Sequence, residues 1–444
     1  MSIRKKTRLR ILPALLPLLL LTALGQSAAP RPPVELTAAQ ASVIASRPQM
    51  TREERREDAE YIVGVLADNY PLFAVNERRT GTDWLANREF YIRQMTEAAN
   101  DEGFLDALTW SLNDLHDGHT HVVDGLFAEQ LYRIYGEYGS DDAWNAEMHT
   151  FSVLRRYMMN NQLLPIERGR PLNLYAYGSY DEVEDGYVYT AYDVEPVTLH
   201  WPELRLAYLR LPTFDYDRMQ EESSGVLEFL RGLRPDTTLV IDIRGNPGGS
   251  TAYWAQELVP YLTKYSLSQD SYLLYRGGEF QQPFMRDLTY YQKIDVGEDI
   301  AKLLKRDLPE LPPEAATDFK RYMRNFNYIV PSPDFHVEGP KYVLVDSGVY
   351  SAAESFASFA KDSGLATLIG TTTGGGGLST GPILCALPHS GYLVRFPQEL
   401  ALGADGRPNE EFRTEPDVRL DAPYEADIDP LEDPAVREAM KLAH

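Results

Sequence analysis

A strand, a glycine turn and a helix follow one another twice along this chain, and that order constrains its fold more than any other feature. Thr237 to Ile243 is a near-continuous apolar run, the pattern of a strand buried on both faces. It leads into Arg244-Gly245-Asn246-Pro247-Gly248-Gly249, after which a helix is expected from about Ser250 to Tyr265. The second unit has a strand at Tyr342 to Val345, a turn at Asp346 to Tyr350 and a helix at Ser351 to Lys361. A strand at Ala366 to Ile369 and the glycine run Gly374 to Gly377 complete it. Leu204 to Leu211 adds a strand candidate and Gly225 to Leu233 a helix. This alternation predicts an α/β fold, a mixed sheet with crossover helices, over 204–444. Between the units, Ser266 to Pro340 reads as an insertion with its own helix near Ala315 to Phe326, long enough to form a lid beside the glycine turns.

The N-terminal part has a different period. Ala59, Ile62, Val63 and Leu66 recur at helical spacing, as do Phe104, Leu105, Leu108 and Leu112. Thr51 followed by Glu54 is a capping-box start. A small helical domain is therefore expected at 51–125, ahead of the α/β core. The intervening 126–203 is Tyr-rich and acidic with weak periodicity, and it lacks the Gly-Leu-Gly carboxylate-binding loop of a PDZ module.

The first 29 residues do not read as part of the fold. Arg4, Lys5, Lys6, Arg8 and Arg10 precede the apolar run Ile11 to Leu24, and Ser27, Ala28 and Ala29 supply small residues near a cleavage point. That is the layout of a secretory signal peptide, followed by a Pro- and Ala-rich linker over 30–50. The apolar run is shorter than the roughly 20 residues a spanning helix needs, so no stable membrane span is expected after cleavage, and the product is periplasmic or secreted. The single cysteine, Cys385, excludes an internal disulfide and a lipid-bearing cysteine at the cleavage point. The 444 residues carry 43 Lys and Arg against 66 Asp and Glu, a net charge of −23. A surface that acidic argues against nucleic-acid partners, which are held by clustered basic side chains.

Four groups of residues could carry chemistry. Ser351 follows a strand and opens a helix, where free backbone N–H groups favour developing negative charge; the same spacing to Glu354 also reads as an ordinary capping box. Gly248 and Gly249 end a strand and are candidate oxyanion donors, or a plain tight turn. A phosphate loop is excluded, because no Lys-Ser or Lys-Thr follows them. His116, His119 and His121 lie close to Asp114 and Asp117, and any of the three could act as a general base, ligate zinc or simply be solvated. Their spacing matches neither His-Glu-x-x-His nor a standard Cys/His scaffold, so no metal is expected. Glu410, Glu411, Glu415 and Asp417 crowd a short stretch, and one of them could orient a histidine.

Together these motifs resemble the tail-specific or C-terminal processing serine peptidase superfamily. The resemblance rests on Thr237 to Gly249, on Val343 to Ala357 with Ile369 to Gly377 after it, on Thr414 to Val418 and on the helix Asp433 to Met440. It implies a crotonase-like α/β core, no cofactor and a polypeptide substrate. Ser351 is the implied nucleophile, and the implied oxyanion hole is the backbone of Gly248 or Gly249 with that of Ala352. The processing branch draws its base lysine from the stretch that here reads Gly374 to Gly377, so that lysine is missing. Leu115-His116-Asp117-Gly118-His119-Thr120 instead resembles the Asp-Gly-His-Thr motif of the tricorn-core branch, which implies His119 as base and Glu410 as its assistant, with Glu411 as an equally placed neighbour. That branch has a serine where this chain has Gly118. The expected activity is exported serine endopeptidase. The alternatives are a non-catalytic binding protein for a peptide or small apolar ligand on the same fold, and a metal-dependent hydrolase built on the histidine cluster.

Overall fold

Runs that are apolar on both faces stack side by side into one central sheet. The computed structural model describes residues 49–443 apart from 133–134, 136–141, 160–161, 164–178, 184–185, 191–194, 293–296, 423 and 426–427. The expected leader, nearly all of the expected linker and part of 126–203 thus lie outside the described residues. The sheet has six strands: β1 Val197–Trp201, β2 Leu206–Arg210, β3 Thr238–Asp242, β4 Lys341–Val345, β5 Thr367–Gly370 and β6 Val418–Arg419, in the spatial order β6-β5-β4-β3-β2-β1. From β2 to β6 neighbours run parallel, and β1 is an antiparallel edge. The fold is thus mixed α/β.

Side chains alternate across these strands with period two. Ala207, Leu209, Leu239, Ile241, Val343 and Val345 pack under helices Tyr216–Arg231, Thr251–Glu257 and Ala352–Asp362. Leu206, Tyr208, Val240, Tyr342 and Leu344 face the helix Pro434–Ala443 on the other side. With both faces covered, the carboxyl ends of β3 and β4 are left as the place where loops meet, and that is where open α/β sheets bind their ligands. Both glycine turns leave the sheet there. Asp346 Oδ1 accepts from the N–H of Gly245 at 2.8 Å and of Gly348 at 2.9 Å, and Tyr350 N–H donates to Asn246 O at 3.0 Å.

The N-terminal helices Arg52–Asn69, Phe73–Thr80, Arg88–Thr96 and Asp101–Asn113 follow the expected period, and the Thr51–Glu54 capping box is formed. Their buried Ile62, Leu66, Leu108 and Leu112 share one core with Leu384, Leu393 and Phe396. The short strand His121–Val122 pairs antiparallel with the strand Leu393–Phe396. The histidine loop is therefore pinned to the C-terminal half. No described helix is long and apolar enough to cross a membrane.

Two expectations are corrected. The helix after the first glycine turn is two pieces, Thr251–Glu257 and Val259–Leu262, because Pro260 lacks an N–H and its ring clashes with the preceding turn. The helix expected near Ala315 to Phe326 is absent. Pro313–Ala316 is one 3₁₀ turn, and Arg321–Ile329 is a strand paired over its whole length with Leu267–Tyr275. The aromatic-rich sequence Arg321-Tyr-Met-Arg-Asn-Phe-Asn-Tyr-Ile329 suits a pleated surface, and a distant partner strand overrides its local helical spacing. These two strands and Leu400–Leu402 belong to a second, four-stranded sheet.

Candidate active site

The turn after β4 holds Ser351 at φ +54°, ψ −122°, a left-handed backbone that a serine rarely adopts and that marks strain worth explaining by function. Its N–H donates to Gly375 O at 3.1 Å, and its side chain makes no capping hydrogen bond. The capping-box expectation is therefore overturned. Ser351 lies at the N-cap position of the helix Ala352–Asp362, but its hydroxyl does not bond the helix's first N–H groups. Glu354 is fully buried and faces away into the protein, its Oε1 accepting from Asn409 Nδ2 at 2.8 Å and Thr414 Oγ1 at 2.7 Å. Burial pushes its carboxyl upward in pKa.

Gly248 has φ +106°, and a Cβ there would stand 2.8 Å from both Ala352 N and Ser351 Cβ. At Gly249, with φ +130°, a Cβ would meet Phe214 O at 2.3 Å. Only glycine brings this backbone against the serine turn. The two amides differ in what they can do. Gly248 N–H already donates to Asn246 Oδ1 at 2.8 Å. Among the described residues no acceptor bonds the N–H of Gly249 or of Ala352, the first residue of its helix. The expected donor set thus narrows to Gly249 and Ala352.

The histidine loop is closed by Asp117, whose Oδ1 accepts from His119 N–H at 3.0 Å and whose Oδ2 accepts from the Thr120 hydroxyl and, at 3.3 Å, from Tyr70 OH. Such a side-chain-to-backbone turn is what an Asp-Gly-His-Thr sequence favours. It carries His119, 3% exposed, to the serine turn, with Nε2 3.2 Å from Ser351 Oγ and Nδ1 3.3 Å from the Tyr350 hydroxyl. Burial lowers the pKa of His119 well below the ordinary histidine value, assisted by the charge of Arg395, so the ring is neutral and retains a lone pair. The other two histidines are elsewhere. His116 is exposed, with φ +48°, and its N–H donates to Asn113 O at 2.9 Å. His121 is buried with Nδ1 3.1 Å from Val122 O, and burial pushes it down to about 3.

The two neighbouring glutamates separate cleanly. Asn409 anchors the short helix Asn409–Phe412 by accepting from Gly377 N–H at 3.1 Å and donating to Glu354. Glu410 thereby lies beneath the glycine run, where a Cβ on Gly375 would be 3.4 Å from its Oε2. Glu411 leaves in another direction to Arg78, with contacts of 2.6 to 3.1 Å, and Arg78 also holds Glu314. Donor atoms of Asp117, His119 and Glu410 all lie within 4.8 Å of one another. Burial and the Asp117 charge push Glu410 up to about 8, and burial raises Asp117 as well. This trio is the donor set that could hold a cation among the described residues, and neither His116 nor His121 belongs to it.

Sequence reasoning missed Tyr350. Its ring packs between glycines: a Cβ on Gly118 would stand 2.9 Å from its hydroxyl, and one on Gly376 2.8 Å from its ring. The ring centroid lies 4.9 Å from that of His119. The glycine run is glycine because Tyr350 and the helix start fill the space, a Cβ on Gly377 falling 2.4 Å from Ser355 N. Asp117 was visible only as a carboxylate near the histidines, and Tyr350 only as the residue before Ser351.

Comparison with known proteins agrees with the motifs. Residues 205–420 match the model of peptidase family S41, so the superfamily resemblance holds. Mature CPAF is similar in structure at a TM-score of 0.52 and 16% identity, with 84% of this chain and 93% of that chain covered. A peptidase candidate from Parabacteroides merdae is similar at a TM-score of 0.50 and 18% identity, with 88% of this chain and 96% of that one covered. At such identities the likeness speaks for the fold. No curated protein matches the chain.

Proposed function

With an S41 peptidase core as the premise, we propose that this chain is an exported serine endopeptidase acting through Ser351 and His119. The observation that carries the reading is the 3.2 Å approach of a neutral, buried imidazole to the hydroxyl of a strained serine at a helix start. His119 Nε2 takes the Ser351 proton as Oγ attacks the substrate carbonyl carbon. The oxyanion so formed accepts from the N–H of Gly249 and Ala352, donors of a kind worth about 3 kcal/mol each in a transition state. His119 then gives its proton to the leaving amine, and water hydrolyses the acyl-enzyme by the same route in reverse. Asp117 and Glu410 retain one proton between them near neutrality, which leaves one negative charge to face the imidazolium as it forms. The substrate is a polypeptide, and export rests on the basic and apolar pattern of residues 1–29.

Fluorophosphonate labelling of the protein at neutral pH tests the reading, with the modified peptide identified by mass spectrometry. Labelling at Ser351 is expected in the wild type and is lost in His119→Ala. Ser351→Ala should abolish peptide hydrolysis, a loss of about 10⁴-fold or more, with the thermal midpoint nearly unchanged. A well-folded wild type that neither labels nor cleaves would favour the binding-protein reading. Activity silenced by chelators and untouched by the serine reagent would favour a metal hydrolase on the Asp117, His119 and Glu410 trio.

A further inference from the structure

We infer that the Tyr350 hydroxyl is the positioning group of His119, fixing both its tautomer and its ring plane; this deepens the Ser351–His119 reading and rests on it. For Nε2 to accept the Ser351 proton it must carry the lone pair, so the ring proton must sit on Nδ1. A proton on Nδ1 in a buried site needs an acceptor, and the Tyr350 oxygen stands 3.3 Å from that nitrogen. In this tautomer His119 Nδ1–H donates to Tyr350 Oη, and Nε2 faces Ser351 Oγ.

Two independent features make Tyr350 a fixed acceptor. Its ring is clamped, since Gly118 on the histidine loop and Gly376 on the glycine run each approach it more closely than any residue with a Cβ could. Its backbone is held as well, by Tyr350 N–H donating to Asn246 O at 3.0 Å and by a parallel bridge between Tyr350 and Gly375. Tyr350 and Ser351 are consecutive residues. The group that aims the base and the group that it deprotonates are therefore set by one turn, and a shift of that turn moves both together.

The inference is tested with wild type and Tyr350→Phe, which keeps the ring and removes the oxygen. Long-range ¹H–¹⁵N spectra of the ¹⁵N-labelled protein read the tautomer of His119 directly. The wild type should show one tautomer, protonated at Nδ1, and Tyr350→Phe a mixture of both. The rate of fluorophosphonate labelling at Ser351 should fall about 10- to 100-fold, the usual size of losing a group that orients another, with the thermal midpoint held. If Tyr350→Phe does not fold, Gly118→Ala is the second variant: its Cβ would press on the hydroxyl at 2.9 Å and should lower the rate in the same way. A wild-type tautomer and labelling rate in Tyr350→Phe, or an unchanged rate in Gly118→Ala where only that variant folds, would overturn the inference and leave the orienting role to Asp117 and Glu410. Failure of the wild type to label would instead strike the serine reading, while the spectra would still report on the Tyr350 contact.

Discussion

Two clusters of buried charge lie at the same end of the sheet and are built on opposite plans. In one, the fully buried Arg244 donates to Asp242 Oδ1 at 3.0 Å and Oδ2 at 2.6 Å, to Asp433 Oδ2 at 2.7 Å and to Ala422 O at 2.8 Å, and Tyr208 OH adds a bond to Asp242 at 2.8 Å. With Arg210 Nη1 3.6 Å from Asp242 Oδ1 as well, two buried cations face two carboxylates. In the other, two carboxyl groups, Asp117 and Glu410, share a buried corner with a neutral imidazole, and the charges of Arg79 and Arg413 oppose their burial only in part. Both acids are raised and the histidine is lowered. The first arrangement holds β3 to the C-terminal helix. The second sets raised acids beside a lowered base, the pattern that marks a candidate functional site.

Breaking the matched cluster should have the larger effect on folding. Arg244→Met leaves Asp433 buried without its cation and Asp242 with Arg210 alone, and removing one partner of such a group costs about 3 to 5 kcal/mol. The midpoint of urea unfolding reads that loss, with the slope unchanged if unfolding remains two-state. A change under 1 kcal/mol would mean the cluster is not what joins the helix Pro434–Ala443 to the sheet.

The mismatched cluster should show itself through pH. Glu410 is raised from 4.5 to about 8, so the folded state holds a proton that the unfolded chain has released. Its contribution to stability is therefore complete below about pH 4.5 and is lost as pH rises through about 8. Glu410→Gln keeps the shape, removes that proton and should flatten this limb, so its stability relative to wild type rises between pH 5 and pH 9. His119 has the opposite sign: lowered below 6.5, it contributes stability present above that value and lost as pH falls. Urea midpoints of wild type and Glu410→Gln at pH 5, 7 and 9 separate the two. A constant difference across the series would show that Glu410 is ionised in the fold and that the contrast between the clusters is wrong.

The contrast also explains what could be read from the sequence. β3 and β4 were legible because a strand buried on both faces is apolar without interruption, and the turns after them because glycine is punctuation in any context. Arg321–Ile329 was not, because its partner Leu267–Tyr275 lies some fifty residues back and the local spacing imitates a helix. Ser351 and His119 stood out through motifs. Tyr350 did not, as one of 28 tyrosines whose role depends on a ring wedged between two glycines from distant loops. Nor did sequence separate Glu410 from Glu411, since neighbours in one short helix differ only in direction, and Asn409 sets that direction through Gly377 and Glu354.

Glu411 supplies the smallest effect and the sharpest control. It is bound to Arg78, which is 37% exposed and also pairs with Glu314, so solvent screens the interaction and one carboxylate remains after the other is removed. Glu411→Gln should cost no more than about 1 kcal/mol in urea unfolding. Its labelling rate at Ser351 should match wild type, whereas that of Glu410→Gln should fall. The two substitutions are chemically identical and one residue apart. A defect in Glu411→Gln equal to that in Glu410→Gln would mean that the acidic stretch acts through its overall charge and not through the direction that Asn409 sets.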